Sequence, residues 1–364
     1  MKILYITEEN IGGGAKAILN LALSSSKFAE VAFLGCDRSF PKLKEVIVFN
    51  TKAKRTISLR YFWDFWISLN NLKPDIVHAN GMYTGLIALL ARSLKRRKYK
   101  VIMTLHHTSG RFRLDLVAKK LVPFLNKVDA IHYLTEYQRE FYLKYGLITH
   151  KFNIIPNLTF SHTYAVGDVN TLRTKLLSDT SSEWLIVYAG RLIESKQVHV
   201  FIDVIKKINQ HNINVGGIIV GAGDKLYTST LHKISFELEI SSKIVFTGFS
   251  AQPELYIKAC DFCLFPTMHA EALPLFIIES FSQKKTLVVS NHPSVTNIVE
   301  DNVDSIVSIN HASVAYAEKC IELIYHPQLL RKLETGAWHK YNNSYKEEKV
   351  INEFEKMYLE IMKN

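Results

Sequence analysis

Short apolar runs recur along the chain, each bounded by glycine, proline or polar clusters, with helically spaced apolar residues between them. "KILYI", "EVAFLG", "PDIVHAN", "YKVIMTLHH", "VDAIHYLT" and "KFNIIPN" read as successive strands of a first unit, and "AKAILNLALSSS" after Gly12–Gly14 reads as a helix. Strands alternating with helices predict a parallel sheet covered on both faces. After Asn157 the pattern dissolves into the polar, Ser/Thr-rich "LTFSHTYAVGDVNTLRTKLLSDTSS", which reads as a linker holding a short helix. The alternation then restarts with "WLIVYAG", the helix "HVFIDVIKKIN", and the strands "GGIIVGAGD", "KIVFTG", "DFCLFP" and "TLVVSN". A final helix over 347–363 carries Val350, Phe354, Tyr358 and Ile361 near one face. The pattern predicts two doubly wound α/β units in tandem, with a cleft between them and ligands at the carboxyl ends of the strands.

Composition narrows this picture. A chain of 364 residues, 48% hydrophobic and 22% charged, is globular and long enough for two domains. Four cysteines make no disulfide framework and point to a reducing compartment. Cys260 and Cys263 form a C-x-x-C pair, but no second pair completes a zinc site and the surrounding "ACDFCLFP" reads as a buried strand. "MKILYIT" is too short an apolar run for a signal peptide, and no run reaches the ~18 apolar residues of a spanning helix. The expectation is a soluble or peripheral protein.

Charge is uneven. Residues 1–165 hold 25 Lys and Arg against 11 Asp and Glu, and the remainder 20 against 23, so the whole excess of +11 lies in the first part. There, Lys52, Lys54, Arg55 and Arg60 mix with Phe62, Trp63, Phe65 and Trp66, and six cations fall between Arg92 and Lys100. Bases flanked by aromatics suit an anionic lipid surface. The alternative is that the aromatics are core and the basic run is a solvated face.

The candidate chemistry sits mostly in the second unit. "YAGRLIESK" puts Arg191 after a strand ending at Gly190, with Lys196 five residues on; two cations there suit a diphosphate. "VGAGD" ends the next strand with Gly221 and Gly223, a turn that permits close backbone approach. In "MHAEALPLFIIES", Pro274 suits a helix's first turn, Glu271 lies in the preceding loop, and Glu279 falls in the second turn of an otherwise apolar helix. A carboxylate in such a segment either lies on a wet face or is completed by a ligand, and backbone amides at the helix start favour an anion.

In order and spacing, "GRLIESK" (190–196), "VGAGD" (220–224), "IVFTGF" (244–249), "ACDFCLFPT" (259–267) and "EALPLFIIES" (271–280) resemble the retaining glycosyltransferases of family 4, of GT-B fold. In the first half "GGGAKAILNLA", "PDIVHAN", "TLHH" and "IIPN" extend the resemblance over nearly the whole chain. It implies an α/β protein of two Rossmann-like domains facing across a cleft. Residues 1–165 would bind the acceptor and 166–345 the nucleotide sugar, with a helix over 346–364 packing back on the first domain.

The resemblance also implies roles. Arg191 and Lys196 would hold the donor's diphosphate, Glu279 the nucleotide ribose, and Glu271 the donor sugar, helped by the backbone around Ala272, Leu273, Pro274 and Leu275. His106 would face the transferred sugar. Gly13 and Gly14 would let the first loop approach the diphosphate or acceptor, Gly190 would open the Arg191 loop, and Thr247 and Gly248 would lie near the base. No cofactor and no metal would be needed, because Arg191, Lys196 and loop amides balance the leaving charge.

The implied activity is transfer of a hexose or N-acetylhexosamine from a UDP-sugar to a lipid-linked or cell-surface glycan. The setting would be bacterial polysaccharide or lipopolysaccharide-type synthesis, in the cytoplasm at the inner face of the membrane, with no nucleic-acid partner. Three positions depart from the family's pattern: Ala272 and Gln197 where glycine is usual, and His107 where Asp is frequent. A GT-B epimerase or phosphorylase, a nicotinamide dehydrogenase and a non-catalytic anionic-surface binder are the rival readings. "GGGA" does not match the dinucleotide pattern G-x-G-x-x-G.

Overall fold

The computed structural model describes residues 1–7, 13–35, 45–51, 53, 58–95, 98–106, 115–148 and 151–363. They form two compact units. One comprises Met1–Phe160, Glu271–Leu273 and Tyr345–Asn364; the other comprises Ser161–Ala270 and Pro274–Ser344.

The first unit is built, in chain order, from β1 (Lys2–Thr7), α1 (Gly13–Ser25), β2 (Glu30–Gly35), β3 (Ile47–Asn50), α2 (Leu59–Leu72), β4 (Ile76–Asn80), α3 (Met82–Lys95), β5 (Lys100–Thr104), α4 (Asp115–Leu125), β6 (Ala130–Tyr133), α5 (Glu136–Leu143) and β7 (Phe152–Ile154). Its seven strands are parallel in the order β3-β2-β1-β4-β5-β6-β7. Two side-chain caps start helices here. Ser58 accepts from Tyr61 N at the head of α2, and Thr135 from Gln138 N at the head of α5.

The second unit continues with α6 (Val166–Thr180), β8 (Trp184–Ala189), α7 (Val198–Gln210), β9 (Val215–Val220), α8 (Lys225–Glu237), β10 (Ile244–Gly248), α9 (Pro253–Ala259), β11 (Phe262–Phe265), α10 (Leu275–Ser282), β12 (Leu287–Ser290), α11 (Pro293–Thr296), β13 (Ile306–Ser308), α12 (Ser313–Tyr325) and α13 (Pro327–Lys340). Its six strands are parallel in the order β10-β9-β8-β11-β12-β13. The last helix, α14 (Glu347–Lys363), belongs to the first unit. Val350, Phe354, Tyr358 and Ile361 are all buried there, joined by Ile351 and Met357, in one core with Ile3, Tyr5, Ile18 and Ile76. On the other face of that sheet, α2 and α3 share a core that includes Tyr61, Phe65, Leu69 and Ala88.

Both sheets therefore show the doubly wound order that the alternating pattern predicts. In each, the chain leaves its first strand toward one edge and later returns to fill the other side. The order reverses between β1 and β4 and between β8 and β11, and ligands of such sheets lie outside the carboxyl ends of the strands at that reversal. β3 and β13, four and three residues long, are edge strands that the apolar pattern did not reveal. The polar stretch after Asn157 contains α6, a full 15-residue helix.

Candidate active site

In the second unit the reversal lies between the loops that follow β8 and β11. After β8, Gly190 takes φ 157°, Arg191 is exposed, and Glu194–Lys196 form a single 3-10 turn. Gln197 then adopts φ 56° and opens α7. That left-handed conformation is free for glycine and costs an L-residue such as Gln197 ~1–2 kcal/mol.

The Arg191 loop is braced by the turn after β9. Gly190 N donates to Val220 O at 2.9 Å, and Leu192 N to Ala222 O at 3.1 Å. A Cβ on Gly221 would stand 1.9 Å from Gly190 O, and one on Gly223 would stand 2.0 Å from Leu192 O. Gly221 and Gly223 are thus glycine because another backbone occupies the space of a side chain. Gly221 N in turn donates to Gly248 O at 2.8 Å, and Thr247 Oγ1 to the same oxygen at 2.9 Å. Thr247 and Gly248 thereby stand beside the same turn, at the carboxyl ends of β9 and β10.

The β8 and β11 loops are tied directly. Met268 N donates to Ser195 O at 3.1 Å, and Ser195 Oγ shares a 3.1 Å hydrogen bond with His269 Nδ1. Lys196 is only 8% exposed, and its Nζ lies 5.2 Å from the centre of the Phe265 ring at the end of β11. Phe265 packs edge-on against Phe276 of α10 at 5.5 Å, with Tyr188 6.0 Å from Phe276. An aromatic cluster thus joins the Lys196 ammonium to the first turn of α10. The helix starts at Leu275 with Pro274 as its N-cap, one position later than the sequence suggested. Glu279 is 7% exposed, on a helix buried from Phe276 through Ser282, so the wet-face explanation of this carboxylate fails.

Cys260 and Cys263 are free and fully buried. Burial raises both thiols, Cys263 to about 12, so neither presents a thiolate at neutral pH. Among the described residues no three His, Cys, Asp or Glu gather as a metal-binding group.

The first unit holds the other predicted residues. Glu271, Ala272 and Leu273 group with it, and Ala272 O accepts from Thr135 Oγ1 at 3.1 Å. Gly13 and Gly14 open α1, while residues 8–12 and His107 lie outside the described residues. His106 follows β5, with Nε2 3.2 Å from Asn80 Oδ1, and the two line one cavity with Thr104, His132, Asn157 and Phe354.

Beneath that cavity runs a buried chain of hydrogen bonds that sequence reasoning missed. Ser25 Oγ and Tyr5 OH are 2.8 Å apart, Tyr5 OH and Tyr358 OH 2.8 Å, and Tyr358 OH and His78 Nδ1 2.7 Å. His78 Nε2 then meets Thr104 Oγ1 at 2.6 Å, Thr104 Oγ1 meets His132 Nδ1 at 2.7 Å, and His132 Nε2 meets Ile155 O at 2.7 Å. Burial holds both histidines neutral, His132 down at about 3 and His78 well below its usual range, with the neighbouring imidazoles adding to the shift. Each ring therefore carries one proton, and Ile155 O can only accept. His132 Nε2–H must donate to it, Thr104 to His132, His78 to Thr104, Tyr358 to His78, Tyr5 to Tyr358 and Ser25 to Tyr5. The only hints in sequence were histidines and a threonine inside otherwise apolar strands. Asn80, Ser195 and His269 were likewise not among the expected site residues.

Two family models match the chain: Glycosyltransferase Family 4 over residues 11–158 and Glycosyl transferases group 1 over residues 170–339. The chain is 25% identical over 253 residues to an alpha-monoglucosyldiacylglycerol synthase of Streptococcus pneumoniae, covering 63% of this chain and 54% of that protein. It thus spans about half the length of that relative. It is 23% identical over 303 residues to the capsular polysaccharide biosynthesis glycosyltransferase CapM of Staphylococcus aureus, covering 80% of this chain and 78% of that one. Among solved structures, Anabaena Alr3699/HepE in complex with UDP-glucose superimposes with a TM-score of 0.86 at 18% identity, covering 99% of this chain and 100% of that one. Matched in both halves, and with the same two parallel sheets, the chain belongs to the family 4, group 1 glycosyltransferases of GT-B fold.

Proposed function

We propose that this glycosyltransferase moves a hexose or N-acetylhexosamine from a UDP-sugar to a lipid-linked or cell-surface glycan acceptor, with retained configuration and without a metal ion. The observation that carries the reading is the braced loop at the second reversal point. It leaves Arg191 exposed just after β8 and buries Lys196 against Phe265 at the end of β11, which packs on Phe276 in the first turn of α10. Cations and a helix start at one reversal point suit a diphosphate whose negative charge grows as it leaves. Arg191 and Lys196 stabilise that charge, and Glu279 accepts from the ribose hydroxyls. Glu271 and His106 serve the transferred sugar. The acceptor hydroxyl attacks the anomeric carbon on the face the diphosphate leaves, and a departing phosphate oxygen takes the hydroxyl's proton. The products are the glycoside and the protonated nucleoside diphosphate. The names of the relatives support this direction: one is solved with UDP-glucose, one makes capsular polysaccharide, and one is a glycolipid synthase.

A membrane-facing acceptor agrees with the outer surface of α2. Leu59, Trp63 and Ile67, spaced four apart, form one exposed stripe, with Trp63 58% exposed, and Leu90 and Leu94 on α3 are exposed too. The basic, aromatic segment is less uniform than it reads. Phe65 is buried, Phe62 and Trp66 pack on the core, Arg92 and Lys100 pair with Asp129, and Lys52, Lys54, Arg55, Arg96 and Arg97 lie outside the described residues. Among the described residues no helix is long and apolar enough to cross a membrane. We place the protein at the cytoplasmic face of a bacterial membrane, resting on the α2 stripe.

The test is nucleotide release from a panel of UDP-, GDP- and ADP-sugars, with and without chelator, alongside thermal shifts in UDP, GDP and ADP. Chelator-insensitive release from a UDP-sugar is the expected result. No release together with no shift by any nucleotide would abandon the catalytic reading. A Glu279→Ala chain that binds UDP as tightly as the parent would remove the ribose role.

A further inference from the structure

We propose that Asn80 is the positioning residue for His106, its amide oxygen fixing which ring nitrogen carries the proton and how the imidazole is turned. The inference rests on the reading that His106 faces the transferred sugar.

Asn80 ends β4 at the reversal point of the first sheet and is 2% exposed. Its Nδ2 donates to Ile6 O at 3.3 Å and to His78 O at 3.2 Å. Both partners are backbone carbonyls that can only accept, so the amide nitrogen must face them. Turning the amide over would set its oxygen against two carbonyls and strand both. The oxygen is therefore the atom presented to His106, 3.2 Å from Nε2. A carbonyl oxygen accepts only, so Nε2 carries a proton. When His106 is neutral, its lone pair is on Nδ1, a buried nitrogen that can then accept a hydrogen bond but cannot give one.

The support for Asn80 comes from the same sheet. Registration sets Thr7, Asn80, Thr104 and His132 side by side across β1, β4, β5 and β6, on the face that packs against α1 and α14. Thr104 and His132 in that row belong to the buried relay with its single proton direction. His78, two residues before Asn80 on the same strand, gives its carbonyl to the Asn80 amide and its ring to the relay. The orientation of His106 is thus tied to a framework that has no alternative proton arrangement while His78 and His132 stay neutral. No other side chain could replace Asn80 atom for atom. Asp would lose the donor that two carbonyls require, and Ser is too short to reach both sides.

The experiment is long-range proton–nitrogen correlation of the ring nitrogens in the full chain labelled with 15N-histidine, His106 being assigned by its disappearance in His106→Gln. In the parent chain the expected state is a single Nε2–H tautomer near neutral pH; an Nδ1–H form would overturn the inference without any variant of Asn80. In Asn80→Ser the expected result is a mixture of tautomers, with turnover falling about a hundredfold and donor KM moving less than threefold. In Asn80→Asp, His106 should stay doubly protonated to higher pH. A tautomer unmoved in folded Asn80→Ser would sink the role of Asn80 whatever the turnover. Full turnover in His106→Gln, with the tautomer displaced in Asn80→Ser, would instead sink the reading beneath it, that His106 serves the sugar.

Discussion

The two units share a topology and solve the same problem in opposite ways. Each holds candidate site residues near the point where its strand order reverses. The second unit does this with backbone: Gly221 and Gly223 let one turn lie directly against the Arg191 loop, and the strands beneath are apolar. The first does it with side chains, through a relay of buried hydroxyls and imidazoles from Ser25 to Ile155 and through the Asn80 amide. Backbone bracing fails when atoms are added, whereas a relay with one proton order fails when a proton is added or a link is cut. The two units should therefore break under different insults.

The largest effect is expected from Gly221→Ala. Its φ of 144° and a Cβ placed 1.9 Å from Gly190 O leave no relaxed solution. Thermal or urea unfolding should show a loss of about 3–5 kcal/mol in the second unit, together with weakened UDP binding. A loss under 1 kcal/mol would mean the brace is slack. Acid comes next and acts on the first unit. The unfolded chain protonates its histidines below 6.5, but folded His132 resists until about 3, so stability is full above 6.5 and declines as pH falls from there toward 3. At pH 5 His132 alone should cost about 2 kcal/mol, and His78 adds a loss of the same sign. Urea titrations between pH 7.5 and 4.5 read this directly, and a flat profile would contradict the neutral relay.

Tyr358→Phe should cost about 1–3 kcal/mol, because it strands the His78 acceptor and the Tyr5 donor together. Combined with Tyr5→Phe the two losses should be less than additive, which a double-mutant cycle measures. The smallest effect on stability belongs to Trp63→Ser, within about 0.5 kcal/mol. That variant should nonetheless lose sedimentation with vesicles containing phosphatidylglycerol. Retained sedimentation would remove the α2 stripe from the proposed membrane contact.

Much of the architecture was legible in sequence because buried parallel strands are nearly continuous apolar runs. "WLIVYAG" and "DFCLFP" announced β8 and β11, and with them the loops that carry Arg191 and the approach to Glu271. β3 and β13 were not legible, whereas β7, an edge strand just as short, was read from "KFNIIPN". A short helix was expected where α6 lies, but its full length was not legible because only Leu176 and Thr180 of its side chains are buried. The charged candidate residues stood out against their surroundings, but the polar contacts formed across the fold did not. Ser195 and His269 are 74 residues apart, and His78 meets Tyr358 across 280, so neither pairing has a local signal. Gln197 shows a subtler limit. It read as a departure from a glycine, and only its φ of 56° shows that the position is left-handed.

The position of α14 has a consequence for synthesis. The sheet of the first unit is made early, but six of the residues that seal one face of it lie between Val350 and Ile361. Until that stretch has left the ribosome, Tyr5 and His78 lack the hydroxyl that links them, and their face of the sheet stays greasy and open. The segment 161–344 is nearly unbroken in the chain and can close while the earlier one is still waiting. Nascent chains stalled before residue 347 should thus carry a protease-resistant second unit behind a first unit that chaperones still bind.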